Sequence, residues 1–164
     1  GAVTILLYRK KEGIHTVFIK RVEYDGIHSG QISFPGGMEE PGDISLAATA
    51  LRETEEEIGV PSGSMSVIGN LTPLHITVSN VEVHPYIAFA DHSPRFHHDK
   101  SEVQYVIEVP LTGLIGPDCR KREIISAGGF DIDAPYFDIN GNHIWGATAM
   151  ILSEFLEIVS RISR

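Results

Sequence analysis

The stretch from Ser45 to Gly59 reads S-L-A-A-T-A-L-R-E-T-E-E-E-I-G and predicts a helix that ends at a glycine. Glu53, Glu56 and Glu57 fall at positions i, i+3 and i+4, so their side chains share one helix face. Negative charges near a helix C-terminus oppose the helix dipole, and like charges at this spacing repel each other. We therefore expect a cation at this cluster, and Mg²⁺ prefers such carboxylate oxygens.

The residues before this helix favour a ligand site over the commoner alternative, a solvated acidic face. Residues 28–43 read H-S-G-Q-I-S-F-P-G-G-M-E-E-P-G-D, a strand-like run that leads into two glycine turns. The adjacent glycines Gly36 and Gly37 let the backbone approach a ligand closely. Strand, glycine turn and acidic helix thus form one continuous unit.

Residues 37–60 resemble the Nudix box, the signature of the Nudix hydrolase superfamily. That pattern is Gly, five residues, Glu, seven residues, and then R-E-U-x-E-E-x-G-U, in which U is bulky and apolar. The pairs Arg52-Glu53 and Glu56-Glu57 match it, and so does Gly59 with the residue after it. The similarity extends over most of the chain, as far as the tail segment I-W-G-A-T-A at residues 144–149.

The sequence departs from the pattern in three ways, and two of these departures point to a subfamily. Thr54 replaces an apolar residue, Asp43 replaces the upstream Glu, and eight residues rather than seven separate Asp43 from Arg52. The last two departures occur together in the coenzyme A pyrophosphatase branch, which the run G-Q-I-S-F-P-G-G at residues 30–37 also resembles. The resemblance implies an α/β fold, a Nudix-like α/β/α sandwich with a mixed β-sheet, as a single domain over residues 1–164.

The resemblance also implies a metal site. Glu53, Glu56 and Glu57 would hold Mg²⁺ or Mn²⁺ together with the backbone carbonyl of Gly37. Arg52 would pair with a neighbouring glutamate and keep it in position. The alternative for Arg52 is a cation that merely solvates an acidic helix, because single exposed ion pairs contribute little.

The same resemblance implies a general base and a set of substrate contacts. Nudix enzymes often take a further glutamate from a later loop, and Glu102, at a loop-to-strand junction, is our candidate ahead of Glu108. Glu55 points away from the cluster by its spacing, and we expect it to face solvent. The expected substrate-binding residues are Arg21, His28, Gln31, Ser79 and Asn80.

Composition limits the partners of the chain. Its 164 residues suffice for one domain with a hydrophobic core, and a formal charge of −9 disfavours binding to nucleic acid. The single cysteine, Cys119, suits a reducing compartment, so we expect a cytoplasmic protein. We find no run of about twenty apolar residues that could span a membrane and no signal peptide. We expect that natural sequence precedes Gly1. The sequence does not decide between a monomer and a homodimer.

Apolar runs bounded by Gly, Pro, Asn or Asp predict a series of strands around two principal helices. A hairpin turn is predicted at Asn140-Gly141. The first helix should pack Ala47, Leu51, Thr54 and Ile58 inward, and a second should cover residues 147–162. The predicted strands are residues 2–9, 16–20, 31–34, 66–71, 81–90, 103–109, 123–127 and 136–138, with one helical turn at 111–114.

The resemblance to the coenzyme A branch implies a pyrophosphohydrolase that cleaves coenzyme A or an acyl-coenzyme A into adenosine 3′,5′-bisphosphate and 4′-phosphopantetheine. ADP-ribose or another nucleotide sugar is the alternative substrate, because the branch carries an arginine where this chain has Gly26. His28 could replace that arginine as a polar contact. A third hypothesis is a silent Nudix domain that binds a nucleotide and regulates a partner, but such a domain need not keep the acidic ligands that are present here.

Overall fold

A mixed β-sheet forms the centre of the protein, whose computed structural model describes residues 1–25, 29–77, 79–127 and 130–162. The helices are α1 (Leu46–Ile58), α2 (Leu111–Ile115) and α3 (Gly146–Ile162). Over the described residues, none of them combines the length and apolar character needed to cross a membrane. The strands are β1 (Ala2–Lys10), β2 (Gly13–Arg21), β3 (Ile32–Ser33), β4 (Gly36–Gly37), β5 (Met65–Asn70), β6 (Leu74–Ile76), β7 (Val81–Ala90), β8 (Val103–Pro110), β9 (Arg120–Ala127), β10 (Phe130–Ile139) and β11 (Asn142–Ile144).

Parallel and antiparallel pairs coexist in the main sheet, whose strand order is β3-β2-β1-β7-β5. β1 runs parallel to β7 and antiparallel to β2. β4 pairs with the first residues of β1, so that Gly37 lies opposite Ala2 and Gly36 opposite Val3. A separate antiparallel sheet has the order β11-β10-β9.

Helices cover both faces of the main sheet because its central strands alternate apolar side chains between the two sides. Leu6 of β1 belongs to the core cluster that contains Ile58 of α1. Its neighbour Ile5 belongs to the cluster on the other side, which contains Leu152 and Phe155 of α3. Both faces are therefore buried under a helix layer, and the prediction of an α/β/α sandwich with a mixed sheet is confirmed.

The strand predictions were accurate where hydrophobic alternation was strong and incomplete elsewhere. Residues 81–90 coincide with β7, whereas the three-residue β6 was not predicted. Gly36 and Gly37 were predicted as a turn but form β4, because they pair with β1. The predicted strand 136–138 is only the end of β10, because the prediction took Pro135 as a boundary. β11 pairs only with residues 137–139 of β10. Position 135 lies beyond that pairing, so a proline is tolerated at it.

The hairpin prediction at Asn140-Gly141 is confirmed. Both residues have positive φ angles, 53° and 83°, as a tight turn between two antiparallel strands requires. The turn joins β10 to β11 and directs the chain into α3. Trp145 is the single residue between β11 and α3.

Helix α1 begins and ends as the sequence predicts. The Ser45 hydroxyl accepts a hydrogen bond from the Ala48 N–H at 3.1 Å, and Gly59 ends the helix with a φ of 72°. The buried side is formed by Ala50, Thr54 and Ile58, while the predicted Ala47 and Leu51 are only half-buried. Thr54 is tolerated in place of an apolar residue because its hydroxyl donates to the Ala50 carbonyl at 2.7 Å.

Candidate active site

The carboxylate of Glu57 is the most deeply buried charge of the candidate site, with a side chain only 1% exposed. Its Oε2 atom accepts a hydrogen bond from the Gly36 N–H at 2.8 Å, and its Oε1 atom lies 3.2 Å from Nη1 of Arg21. Burial raises the pKa of Glu57 to about 7, although both partners favour the charged form. Burial thus favours the protonated form of Glu57, and a positive charge beside it would favour the carboxylate.

Glu53 lies against β4 rather than in open solvent. A Cβ atom on Gly37 would stand 2.4 Å from the Glu53 carboxylate carbon, so a side chain at this position would force the Glu53 carboxylate to move. Oε1 of Glu53 accepts a hydrogen bond from Nη1 of Arg52 at 2.9 Å. Burial raises the pKa of Glu53, and the negative charges of Glu56 and Glu102 also raise it. Arg52 has the opposite effect on this pKa.

The three predicted metal-binding glutamates lie at different depths on one side of α1. The exposed fraction of the side chain is 14% for Glu53 and 57% for Glu56, compared with 1% for Glu57. Arg52 contacts both Glu53 and Glu56, the latter at 3.0 Å. In the part of the chain that the structure describes, no three His, Cys, Asp or Glu side chains are grouped closely enough to hold a metal ion as they stand.

Arg52 makes its most extensive contact with Asp43, which sequence reasoning noted only as a departure from the pattern. The guanidinium donates two hydrogen bonds to the Asp43 carboxylate, each 3.0 Å long. Asp43 also accepts hydrogen bonds from the Glu40 N–H and the Thr49 hydroxyl, and its pKa lies well below the usual range, chiefly because of Arg52. A further bond from Arg52 to the Met38 carbonyl ties the glycine turn to α1.

The loop before β8 brings Glu102 to the carboxylate cluster. The helix α1 leaves unpaired carbonyls at its end, and two of them, those of Glu57 and Ile58, accept hydrogen bonds from the Asp99 and His97 N–H groups, each 3.0 Å long. The Glu102 carbonyl accepts a bond from the Val22 N–H at 2.9 Å. The negative charge of Glu102 raises the pKa of both Glu53 and Glu57, so its carboxylate lies within electrostatic reach of theirs.

Glu108 and Glu55 lie apart from this cluster. Glu108 accepts a hydrogen bond from the Tyr8 hydroxyl at 2.9 Å and forms an ion pair with Lys10. Glu55 is exposed, as predicted, and accepts a hydrogen bond from the Ser62 N–H at 2.7 Å. Both carboxylates therefore have structural partners of their own.

A cleft of about 600 Å³ opens beside β4, and its walls are mostly apolar. It brings together three of the predicted substrate-binding residues, Arg21, Gln31 and Ser79. Asn80 lies outside the lining, in the turn before β7 with a φ of 53°, and His28 is outside the described residues. Sequence reasoning did not select the apolar walls, which include Phe34, Met38, Leu74, Trp145 and Met150.

Comparison with known proteins agrees with this arrangement. Residues 1–138 match the NUDIX domain family. The chain belongs to the Nudix hydrolase family. NudL of Yersinia enterocolitica is 34% identical over 133 residues, which are 81% of this Nudix hydrolase and 68% of that protein. NudL of Photorhabdus laumondii is 33% identical over 132 residues, covering 80% and 70% of the two chains.

A solved structure supports the fold of this Nudix hydrolase. The crystal structure of RenU, a Nudix hydrolase from M. smegmatis, superimposes with a TM-score of 0.64 over 98% of this chain and 85% of its own, at 12% identity. Both NudL relatives bear the name uncharacterized Nudix hydrolase, which indicates a family and no substrate. The prediction of a Nudix pyrophosphohydrolase acting on a nucleoside diphosphate derivative is thus confirmed, and enzymes of this family generally use divalent metal ions.

Proposed function

We propose that this Nudix hydrolase cleaves the diphosphate linkage of coenzyme A or an acyl-coenzyme A, yielding adenosine 3′,5′-bisphosphate and 4′-phosphopantetheine. The observation that carries the proposal is the apolar cleft of about 600 Å³ lined by Gly36 and Gly37 of β4, the two glycines that contact the Glu57 and Glu53 carboxylates. Gln31, Ser33, Phe34 and Gly37, from the segment that resembles the coenzyme A branch, line this cleft. Recognition and hydrolysis would therefore share one stretch of chain.

The character of the cleft favours coenzyme A over ADP-ribose. A pantetheine arm, with or without an acyl group, exposes long apolar stretches, whereas a second ribose exposes hydroxyl groups. Met38, Trp145 and Met150 line the cleft and remain more than a third exposed, so apolar surface is available to such an arm. Burying that surface would contribute roughly 25 cal/mol for each Å² removed from water.

We further propose that Glu53, Glu56, Glu57 and the Gly37 carbonyl hold Mg²⁺ or Mn²⁺. These groups supply only oxygen donors, which hard divalent cations prefer, and the raised pKa values of Glu53 and Glu57 reflect buried negative charge that a cation would stabilise. The missing side chain of Gly37 leaves the Glu53 carboxylate directly against the backbone. A bound divalent cation neutralises phosphoryl charge and makes a water more acidic.

The remaining residues would position the substrate and transfer a proton. Glu102, whose charge reaches Glu53 and Glu57, would accept the proton of the attacking water at its carboxylate. Arg21 lines the cleft and contacts Glu57, so it would hold that carboxylate beside the diphosphate. Arg52 would fix Glu53 and Glu56 through its anchor on Asp43.

The test is a product analysis with the purified protein and added Mg²⁺ or Mn²⁺. The substrates would be coenzyme A, acetyl-coenzyme A, ADP-ribose, NADH and diadenosine polyphosphates. We expect adenosine 3′,5′-bisphosphate and 4′-phosphopantetheine from coenzyme A as the preferred reaction. A preference for ADP-ribose over coenzyme A of about tenfold or more in kcat/KM would replace the substrate and keep the reaction class. Absence of turnover with every compound would favour the regulatory hypothesis.

A further inference from the structure

A second cavity, of about 410 Å³, lies between the β2–β3 edge of the main sheet and the strand β11. This volume is within the range of about 300–1,000 Å³ that is typical of small-molecule sites. Lys20 stands on β2 between Ile32 of β3 and Tyr105 of β8, its two partners in the sheet register. Asn142 and His143 of β11 close the opposite side.

The charge of this cavity is opposite to that of the whole chain. The formal charge of the protein is −9, yet the described residues that line this cavity contribute one positive charge, that of Lys20, and include no Asp or Glu. No carboxylate among the described residues forms an ion pair with Lys20, whereas Arg21 next to it is paired with Glu57. The Lys20 ammonium is therefore available to an anionic ligand.

The polar groups of the cavity are held in place by hydrogen bonds. The Tyr105 hydroxyl donates to Oδ1 of Asn142 at 2.9 Å, across the gap between the two sheets. The amide nitrogen of Asn142 donates to the Ile139 carbonyl at 3.1 Å. His143 stacks on Tyr136 with ring centroids 4.5 Å apart. The site is thus preorganised, which reduces the entropy lost on binding.

Trp145 borders both this cavity and the apolar cleft. Gln31 and Trp145 line both spaces, so the two spaces adjoin each other. The Trp145 side chain is 48% exposed, which leaves part of the indole accessible to a flat ring. Purine bases stack on aromatic side chains of this kind.

We infer that the second cavity is a subsite for the phosphorylated nucleoside of the substrate. Lys20 pairs with a phosphate monoester on the ribose, and the base stacks on Trp145 while the apolar arm lies in the cleft of about 600 Å³. This inference rests on the proposed function, because coenzyme A carries a 3′-phosphate on its ribose and ADP-ribose does not. The subsite would therefore select for that phosphate.

Binding can be measured without turnover when EDTA removes divalent metal ions. Trp145 is the only tryptophan in the chain, so its fluorescence reports on the cavity. We would titrate the full chain in EDTA with adenosine 3′,5′-bisphosphate, AMP and inorganic phosphate, following tryptophan fluorescence and, in parallel, calorimetry. The bisphosphate should bind about tenfold tighter than AMP, as expected for one added charge-assisted contact. Equal affinities for the bisphosphate and AMP, or for the bisphosphate and inorganic phosphate, would overturn the inference.

Variants of Lys20 test the assigned contact. Lys20→Met should weaken bisphosphate binding about tenfold and erase the preference over AMP, and Lys20→Arg should keep the preference because the charge remains. The matched control is Lys11→Met, which removes a charge from an exposed turn outside both cavities. Circular dichroism checks that each variant folds. A folded Lys20→Met protein with unchanged preference would contradict the subsite.

The outcomes separate this inference from the proposed function. Preferential binding of the bisphosphate without hydrolysis of coenzyme A would overturn the reaction and keep the subsite. Hydrolysis of coenzyme A with equal kcat/KM for coenzyme A and dephospho-coenzyme A would keep the reaction and overturn the subsite. The two compounds differ only in the 3′-phosphate.

Discussion

The carboxylate of Glu53 fills the space that Gly37 leaves by having no side chain: a Cβ atom on Gly37 would stand 2.4 Å from the Glu53 carboxylate carbon. The first glycine of the Nudix box is thus in direct contact with the first glutamate of the helix. Since Gly37 of β4 also pairs with Ala2 of β1, its backbone cannot move away freely. The requirement for glycine here is steric, because no positive φ is involved.

Gly37→Ala should displace Glu53 and weaken the proposed metal site. We expect Mn²⁺ affinity and kcat/KM for coenzyme A to fall about tenfold or more, as for changes that disturb metal ligands. Calorimetry and a product assay would measure the two quantities. The matched control is Gly42→Ala, because a Cβ atom at Gly42 would meet nothing within 4 Å. Equal losses in both variants would contradict the steric argument.

Glu57→Gln should abolish most turnover while the fold is retained. The amide can still accept the hydrogen bond that the Gly36 N–H gives to Glu57, but it carries no charge for a cation. We expect kcat to fall about a hundredfold or more. Glu55→Gln is the control, because Glu55 is exposed and contacts Ser62 outside the cluster. A modest loss from Glu57→Gln would favour a nucleotide-binding domain over an enzyme.

The raised pKa of Glu57 predicts how stability depends on pH. Because its pKa rises from 4.5 to about 7 on folding, the folded protein keeps a proton that the unfolded chain releases in that window. The contribution of Glu57 to stability is therefore present below 4.5 and is lost as the pH rises toward 7. Over the whole window it amounts to at most about 3 kcal/mol.

Urea denaturation in EDTA, for the wild type and Glu57→Gln at about pH 5 and pH 8, would measure this effect. The wild type should lose stability relative to the variant as the pH rises, because Gln does not titrate. A difference between the two proteins that stays constant with pH would show that Glu57 has an ordinary pKa. Adding Mn²⁺ at the higher pH should restore stability only to the wild type.

Asp43→Asn should impair the enzyme through Arg52. The bidentate contact between Asp43 and Arg52 would weaken, so that Arg52 no longer holds Glu53 and Glu56 in register. We expect kcat/KM to fall about tenfold, a typical effect of losing a residue that holds metal ligands in place. Glu40→Gln is the matched control, since Glu40 is exposed and lies 3.9 Å from the guanidinium. Similar effects of both changes would argue against a specific role for Asp43.

Glu102→Gln should lower kcat by about 10² to 10⁴, the range expected for loss of a general base, with little change in KM. The comparison is Glu108→Gln, at a carboxylate that contacts Tyr8 and Lys10 on another part of the surface. Steady-state kinetics with coenzyme A would separate the two. If Glu108→Gln reduced kcat more than Glu102→Gln, the base would have to be reassigned.

Local patterns in the sequence were enough for several features. Ser45 and Gly59 mark the ends of α1 because capping depends on nearby backbone groups, and Asn140-Gly141 marks a hairpin because a tight turn needs positive φ. The spacing of Glu53, Glu56 and Glu57 places them on one side of a helix through helix geometry alone. The apolar run at residues 81–90 predicted β7, whereas the mixed sheet was expected from the family resemblance.

Contacts between distant segments decided the rest of the candidate site. Spacing could not show that Glu57 is buried and Glu56 exposed, because burial depends on Gly36 and Arg21 reaching Glu57 from other strands. Asp43 looked like a departure until its bond to Arg52 was visible. The apolar walls of the cleft were missed because Phe34 and Trp145 meet only when α3 packs on the sheet.

The sequence by itself determined the helix and its charged face, since each depends on residues within a few turns of one another, and it determined the family through motifs spread along the chain. Only the tertiary structure decided how deeply each carboxylate is buried, how Glu102 comes near Glu57, and where the two cavities that share Trp145 lie. The physical reason is that solvent exposure and charge coupling are set by which segments pack together. Free carbonyls at the end of α1 bind the loop before β8, and that pairing brings a glutamate some fifty residues away in the chain to the cluster.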